Sequence, residues 1–79
     1  MRYAVLVEKT RTGFSAHVPD LQGCVAAGET QEETIQLIRE AIEFHLEGMK
    51  LHGEMVPAPA SMCEYVEVDT PPSIEVASR

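Results

Sequence analysis

The stretch from Thr30 to Gly53, TQEETIQLIREAIEFHLEGMKLHG, constrains this chain more than any other. Thr30 followed three residues later by Glu33 has the spacing of a capping box, in which each side chain accepts from the other residue's backbone N–H. Glu29, Glu32 and Glu33 lie where the helix dipole favours negative charge. Gly53 ends the pattern, with Pro57 and Pro59 soon after. A helix over about residues 31–52 is therefore expected. At roughly 100° per residue, Gln36, Arg39, Glu40, Glu43, Glu47 and Lys50 crowd into one sector of about 100°. Ile35, Leu37, Ile38, Ala41, Ile42, Phe44, Leu46, Met49 and Leu51 occupy nearly all the rest. Such an apolar arc, about 220° wide, exceeds the ~100° stripe that covers one sheet. The crossing segment EMVPAPAS hides part of the surplus in this reading, and another subunit or a protein partner covers the remainder.

The helix is preceded by short alternating runs. Residues 2–9, RYAVLVEK, carry apolar side chains on both faces, which suggests a strand inside the sheet. TRTG, residues 10–13, reads as a hairpin turn with Gly13 free to take positive φ. Phe14, Ala16 and Val18 then alternate with Ser15, His17 and Pro19 as a half-buried strand. Pro19 fixes φ and Asp20 can bond the backbone two residues on, so PDLQG reverses the chain into a third strand, CVAA. After the helix, MCEYVEV, residues 62–68, reads as a fourth strand. The expected fold is α+β: an antiparallel β-meander, one long helix and a further strand. Residues 1–70 form one domain, and residues 71–79, with two prolines, are expected to be a flexible tail or to order against a partner.

A 79-residue domain removes only roughly 60% of its extended-chain surface from water, so its core is thin. The composition, 44% hydrophobic and 24% charged, is that of a globular chain. The formal charge of -7 is unevenly distributed. Residues 1–28 hold three basic and two acidic groups, residues 29–63 two and seven, and residues 64–79 one and four. Acidity of this kind repels phosphate backbones and disfavours direct nucleic-acid binding, while favouring a basic protein partner. No apolar run approaches the ~18 residues of a membrane span, and MRYAVLVEK is too short and too quickly charged for a signal peptide. A soluble cytoplasmic protein is the expectation.

The chemical candidates are few. Cys24 follows His17 closely enough for a Cys/His nucleophile to be conceivable, but nothing orients the histidine, and packing is the better role. Cys24 and Cys63 lack any zinc-binding spacing. His45 and His52 fall on the apolar arc about 10 Å apart along the axis, too far to share a metal, and read as buried or interface histidines. Glu8, Asp20, Glu64 and Glu67 are of the type that holds a divalent ion in a metal-dependent nuclease, yet they show no convergence. No catalytic residue, metal or cofactor is expected. Glu40, Glu43 and Glu47 make an acidic stripe that is either a solvated helix face or a docking surface for a basic partner, although Arg39 and Lys50 can pair within it.

In order and spacing, YAVLVEK, GFSAHVPDLQGCVAAGETQEE and IQLIREAIEFHLEGM resemble the short HicB-like antitoxin family, over about residues 2–51. The matching positions are Gly13, Phe14, Pro19, Asp20, Leu21, Gly23, Cys24, Gly28, Thr30 and Glu33. Thr34 departs from the small alanine that many members carry. The resemblance implies a β-β-β-α-β arrangement like a degenerate ribonuclease H fold without its catalytic carboxylates. It also implies neutralisation of a small basic HicA toxin that cleaves mRNA with a histidine. Longer members add a C-terminal DNA-binding module, for which this sequence has no counterpart. Self-association, through the surplus apolar helix surface or a free sheet edge, is expected as well. A stand-alone oligomeric regulator and, at a distance, the metal-dependent nuclease are the alternatives.

Overall fold

Three short strands, β1 (Leu6–Lys9), β2 (Phe14–His17) and β3 (Val25–Gly28), precede one helix, α1 (Gln31–Leu51), in a computed structural model that describes residues 1–77. The strands form an antiparallel sheet in the order β1-β2-β3. The meander followed by one long helix is the α+β arrangement expected from the sequence.

Register decides what is buried. Val7, Ala16 and Ala26 face one another across the sheet on the side of α1. Ala16 and Val18, Leu21 and Cys24 from the following loop, and Ile38 of α1 form the core, with Tyr3, Val5, Ile42 and Leu46 packed around it. Burying a side chain the size of Leu21 or Ile38 contributes about 1.5–3 kcal/mol. Thr34 is also fully buried, and its hydroxyl donates to Thr30 O at 2.8 Å, so this polar group costs no lost hydrogen bond.

Local chemistry fixes both ends of α1. Thr30 Oγ1 accepts from Glu33 N at 3.0 Å. Glu33 Oε1 reaches back to Glu29 N at 2.7 Å, one residue upstream of the reciprocal bond expected of a capping box. At the other end Gly53 takes φ of 68°. Glu54 N donates to Met49 O at 2.9 Å and Gly53 N to Lys50 O at 3.1 Å, which is a Schellman closure.

The glycine at position 13 has a different purpose from the one expected. Its φ is not positive; among the described residues only Gly23 and Gly53 have positive φ. A Cβ at Gly13 would lie 2.2 Å from Gly28 O and 3.0 Å from Glu29 Cα. The start of β2 thus runs against the corner between β3 and α1, and only a residue without Cβ permits that approach.

Two further expectations change. β1 is an edge of the three-stranded sheet rather than an interior strand. Segment 62–68 is not hydrogen-bonded into a ladder, although the chain returns beside β1 in the same direction: Tyr3 Oη donates to Pro57 O and the Cys63 thiol to Val5 O at 3.7 Å. Apolar residues on both faces of RYAVLVEK reflect this neighbour. Just upstream of the segment, prolines at 57 and 59 have no N–H and Ala60 N and Ser61 N bond Asp20, while within it the Cys63 thiol, not a backbone N–H, meets Val5 O. Ile74 N donates to Pro71 O in a turn of the tail; residues 78 and 79 lie outside the described residues. The molecule measures 55 × 27 × 17 Å with a radius of gyration of 15.8 Å, against about 12 Å for a compact chain of this length.

Candidate protein-interaction surfaces

One surface lies on the outer side of α1. Glu40, Glu43 and Glu47 are all exposed, and Glu40 Oε2 accepts from Gln36 Nε2 at 2.9 Å. Beside them runs an apolar ridge that the sequence indicated only as part of a wide arc. Leu37, Phe44 and Leu51, seven residues apart, are 37%, 81% and 80% exposed. At three- and four-residue spacing, Glu40 sits between Leu37 and Phe44, and Glu47 between Phe44 and Leu51. The ridge is therefore acidic along one flank over roughly 20 Å of helix. Phe44 also lines a cleft of about 640 Å³ between α1 and the β2–β3 loop, together with Leu21, Gln22, Gly48 and Met49 among others. The crossing segment leaves the ridge bare, and its own Met55 is exposed.

A second surface is the side of the sheet facing away from α1. There Leu6, His17 and Val25 align in one cross-strand row, with Leu6 and Val25 exposed. Alternation in FSAH carried part of the signal for this row, but the strand order was needed to assemble it.

Cys24 and His17 do not form a pair. Cys24 is in the core, while His17 belongs to the opposite face through its pairing with Leu6 and Val25. Burial pushes the Cys24 thiol above its ordinary pKa, the reverse of what a nucleophile needs. His45 is half-buried, whereas His52 is exposed, so of the two expected roles, buried or interface, burial does not hold for His52: its Nδ1 lies 2.7 Å from Gly48 O at the helix end, where an extra hydrogen-bond partner satisfies a terminal carbonyl.

Asp20 has a role that local sequence reasoning missed. Instead of bonding its own turn, its Oδ2 accepts from Ala60 N at 2.8 Å and Ser61 N at 2.9 Å, and its Oδ1 accepts from Ser61 Oγ at 2.8 Å. The Ser61 and Ala60 amides, then the Ser61 hydroxyl, hold the carboxyl below its usual pKa. The turn around it closes through Val18 N to Cys24 O, Leu21 N to Val18 O and Cys24 N to Leu21 O, each 3.1 Å. Pro19 is exposed, Phe14 half-buried, and Gly23 takes φ of 80°. Among the described residues, no three His, Cys, Asp or Glu side chains converge on a cation site, and no helix is long and apolar enough to cross a membrane.

An acidic α+β unit with a bare apolar ridge has the build of a small interaction module. The family model described as HicB_like antitoxin of bacterial toxin-antitoxin system matches residues 3–72. This chain belongs to that HicB-like antitoxin family. It is 38% identical over 58 residues to a UPF0150 protein of Thermoplasma acidophilum, covering 72% of this chain and 84% of that one. With a UPF0150 protein of Synechocystis it shares 45% identity over 56 residues, 70% of this chain and 71% of the other. An uncharacterised 14.9 kDa protein of Haemophilus phage HP1 is 38% identical over 66 residues, 84% of this chain; the chain spans about half, 50%, of that relative's length. A chain of a solved HicA3 and HicB3 toxin-antitoxin complex superposes with a TM-score of 0.66 at 32% identity, over 76% of this chain and 70% of that one.

Proposed function

We propose that this protein is an antitoxin that binds a small basic HicA-type toxin and denies it access to mRNA, acting in the cytoplasm by occlusion and without catalysis. The observation that carries this reading is the juxtaposition on α1 of Glu40, Glu43 and Glu47 with the bare ridge Leu37, Phe44 and Leu51. Carboxylates at the rim of an apolar strip steer a basic partner and set its register, while a central exposed aromatic supplies the desolvated anchor. Likeness to a chain of a toxin-antitoxin complex supports the partner class. Bare apolar surface on a thin-cored chain supports self-association in addition.

The test is co-expression with a small basic HicA-type toxin. Growth should be rescued and a complex should co-purify. Reversing the charges of Glu40, Glu43 and Glu47 together should weaken binding at least tenfold, about 1.4 kcal/mol, and reduce its sensitivity to salt. Phe44→Ala should cost about 2 kcal/mol of affinity while leaving the melting temperature of the free protein unchanged. No rescue and no complex would refute the antitoxin reading; rescue that ignores all four substitutions would return this face to solvent.

A further inference from the structure

The cleft between α1 and the β2–β3 loop has a chemistry that the ridge beside it lacks, because three sources of negative potential meet on it. Asp20 and Glu54 both line it. The three donors that hold Asp20 are two backbone amides and a hydroxyl, all neutral, so they leave its charge uncancelled. The third source is the last turn of α1, which contributes Gly48 and Met49 to the lining and carries the negative end of the helix dipole. Among the described residues that line the cleft, none is Lys or Arg, and Lys50 borders a different groove together with Met1 and Leu46. Leu21 and Met49 make part of the lining apolar, and the Phe44 ring is exposed. Gly48 keeps the space open, since a Cβ there would meet nothing within 4 Å.

A negative cleft that is partly apolar and bordered by an open aromatic ring selects a cation with an apolar stem. We propose that it receives an arginine side chain of the basic partner, the guanidinium stacked on Phe44 and facing Asp20 and Glu54. Arginine fits this combination better than lysine. Its head is planar and weakly hydrated and stacks on aromatic faces, whereas an ammonium is a strongly hydrated point charge that gains less from leaving water. A volume of about 640 Å³ falls in the range of ligand-binding clefts, about 300–1,000 Å³, and leaves room for backbone on either side of the arginine. A second copy of this chain is a poorer occupant, because its net charge of -7 is repelled by the same carboxylates. The inference rests on the antitoxin reading and names the side chain by which the toxin is held: the ridge supplies apolar area, and the cleft supplies one deeply seated anchor.

Two measurements on the full-length protein test it. In the first, Nα-acetyl-argininamide is titrated against the free protein and followed by the amide resonances of Gln22 and Gly48. Both should shift and saturate, the citrulline counterpart should leave them in place, and the lysine counterpart should bind more weakly. Gly48→Leu fills the opening with a better helix former and should weaken the arginine titration at least tenfold with the helical circular dichroism unchanged. Citrulline or lysine acting as strongly as arginine, or a titration indifferent to Gly48→Leu, would overturn the site. In the second, the complex is formed with a HicA-type toxin carrying isotope-labelled arginine, and one guanidinium N–H should show close contacts with the Phe44 ring. A stable complex with no arginine at Phe44 would overturn this inference and leave the antitoxin reading intact. No complex at all would refute the antitoxin reading and the toxin as the source of the arginine, while the first titration alone decides whether the cleft prefers a guanidinium.

Discussion

The carboxylate of Asp20 grips Ser61 twice, accepting from its amide at 2.9 Å and from its hydroxyl at 2.8 Å across 41 residues of chain. A residue in the second reversal of the sheet thereby sets where the chain goes after the helix. Only the ionised carboxylate accepts all three bonds of this clasp.

The clasp makes a pH prediction with a definite sign. The folded Asp20 carboxyl lies below its unfolded value of 3.8, so its contribution is present in full above the unfolded pKa and is lost as pH falls through the lower folded one. The amide resonances of Ala60 and Ser61 should be constant from neutral pH to about 5 and move only below about 4. In Asp20→Asn they should sit at displaced positions and show no such transition. Titration of these amides near neutrality would refute the assignment.

Glycines at 13 and 48 should respond oppositely to alanine. At Gly13 the added Cβ meets the Gly28 carbonyl at 2.2 Å, and such overpacking costs about 1–3 kcal/mol. Gly48 lies inside α1, where an added Cβ would meet nothing within 4 Å, so Gly48→Ala should stabilise by about 0.5–1 kcal/mol. Urea unfolding midpoints should therefore move down for the first variant and up for the second.

The two cysteines should differ in reactivity. Cys63 is exposed and Cys24 buried, with the Cys24 thiol further disfavoured by its raised pKa. One equivalent of a thiol reagent should react with the native protein, and the second only on addition of denaturant. Equal rates at both sites would mean that Cys24 is not the packing residue its position indicates.

Much of this architecture was legible in the sequence because it is locally determined. Thr30, Glu33 and Gly53 act within a turn of the helix ends they shape, the period-two run around Ala16 declares its own strand, and the reversal at Pro19 and Asp20 announces the next. What was not legible depends on partners far along the chain. β1 has apolar residues on both faces whether its neighbour is a laddered strand or a loose return segment, and nothing near Asp20 announces Ser61. Gly13 looks like any turn glycine until Gly28 is placed against it. On the helix, the excess of apolar surface was evident, but choosing Leu37, Phe44 and Leu51 as the uncovered part required knowing which side meets the sheet. The acidic stripe is visible in the sequence as a stripe; its docking role is a proposal.

The meander has a kinetic consequence. Its ladder contacts link residues at most 14 apart, as in Phe14 with Gly28, and α1 follows directly with its own local bonds. Chains rich in such near-neighbour contacts fold quickly, on the order of milliseconds or faster, because little loop-closure entropy precedes each gain. The Asp20–Ser61 clasp, 41 residues apart, closes afterwards. The ladder and helix bonds of residues through Gly53 therefore need nothing from the return segment, and the surface of α1 can be in place before that segment is clasped.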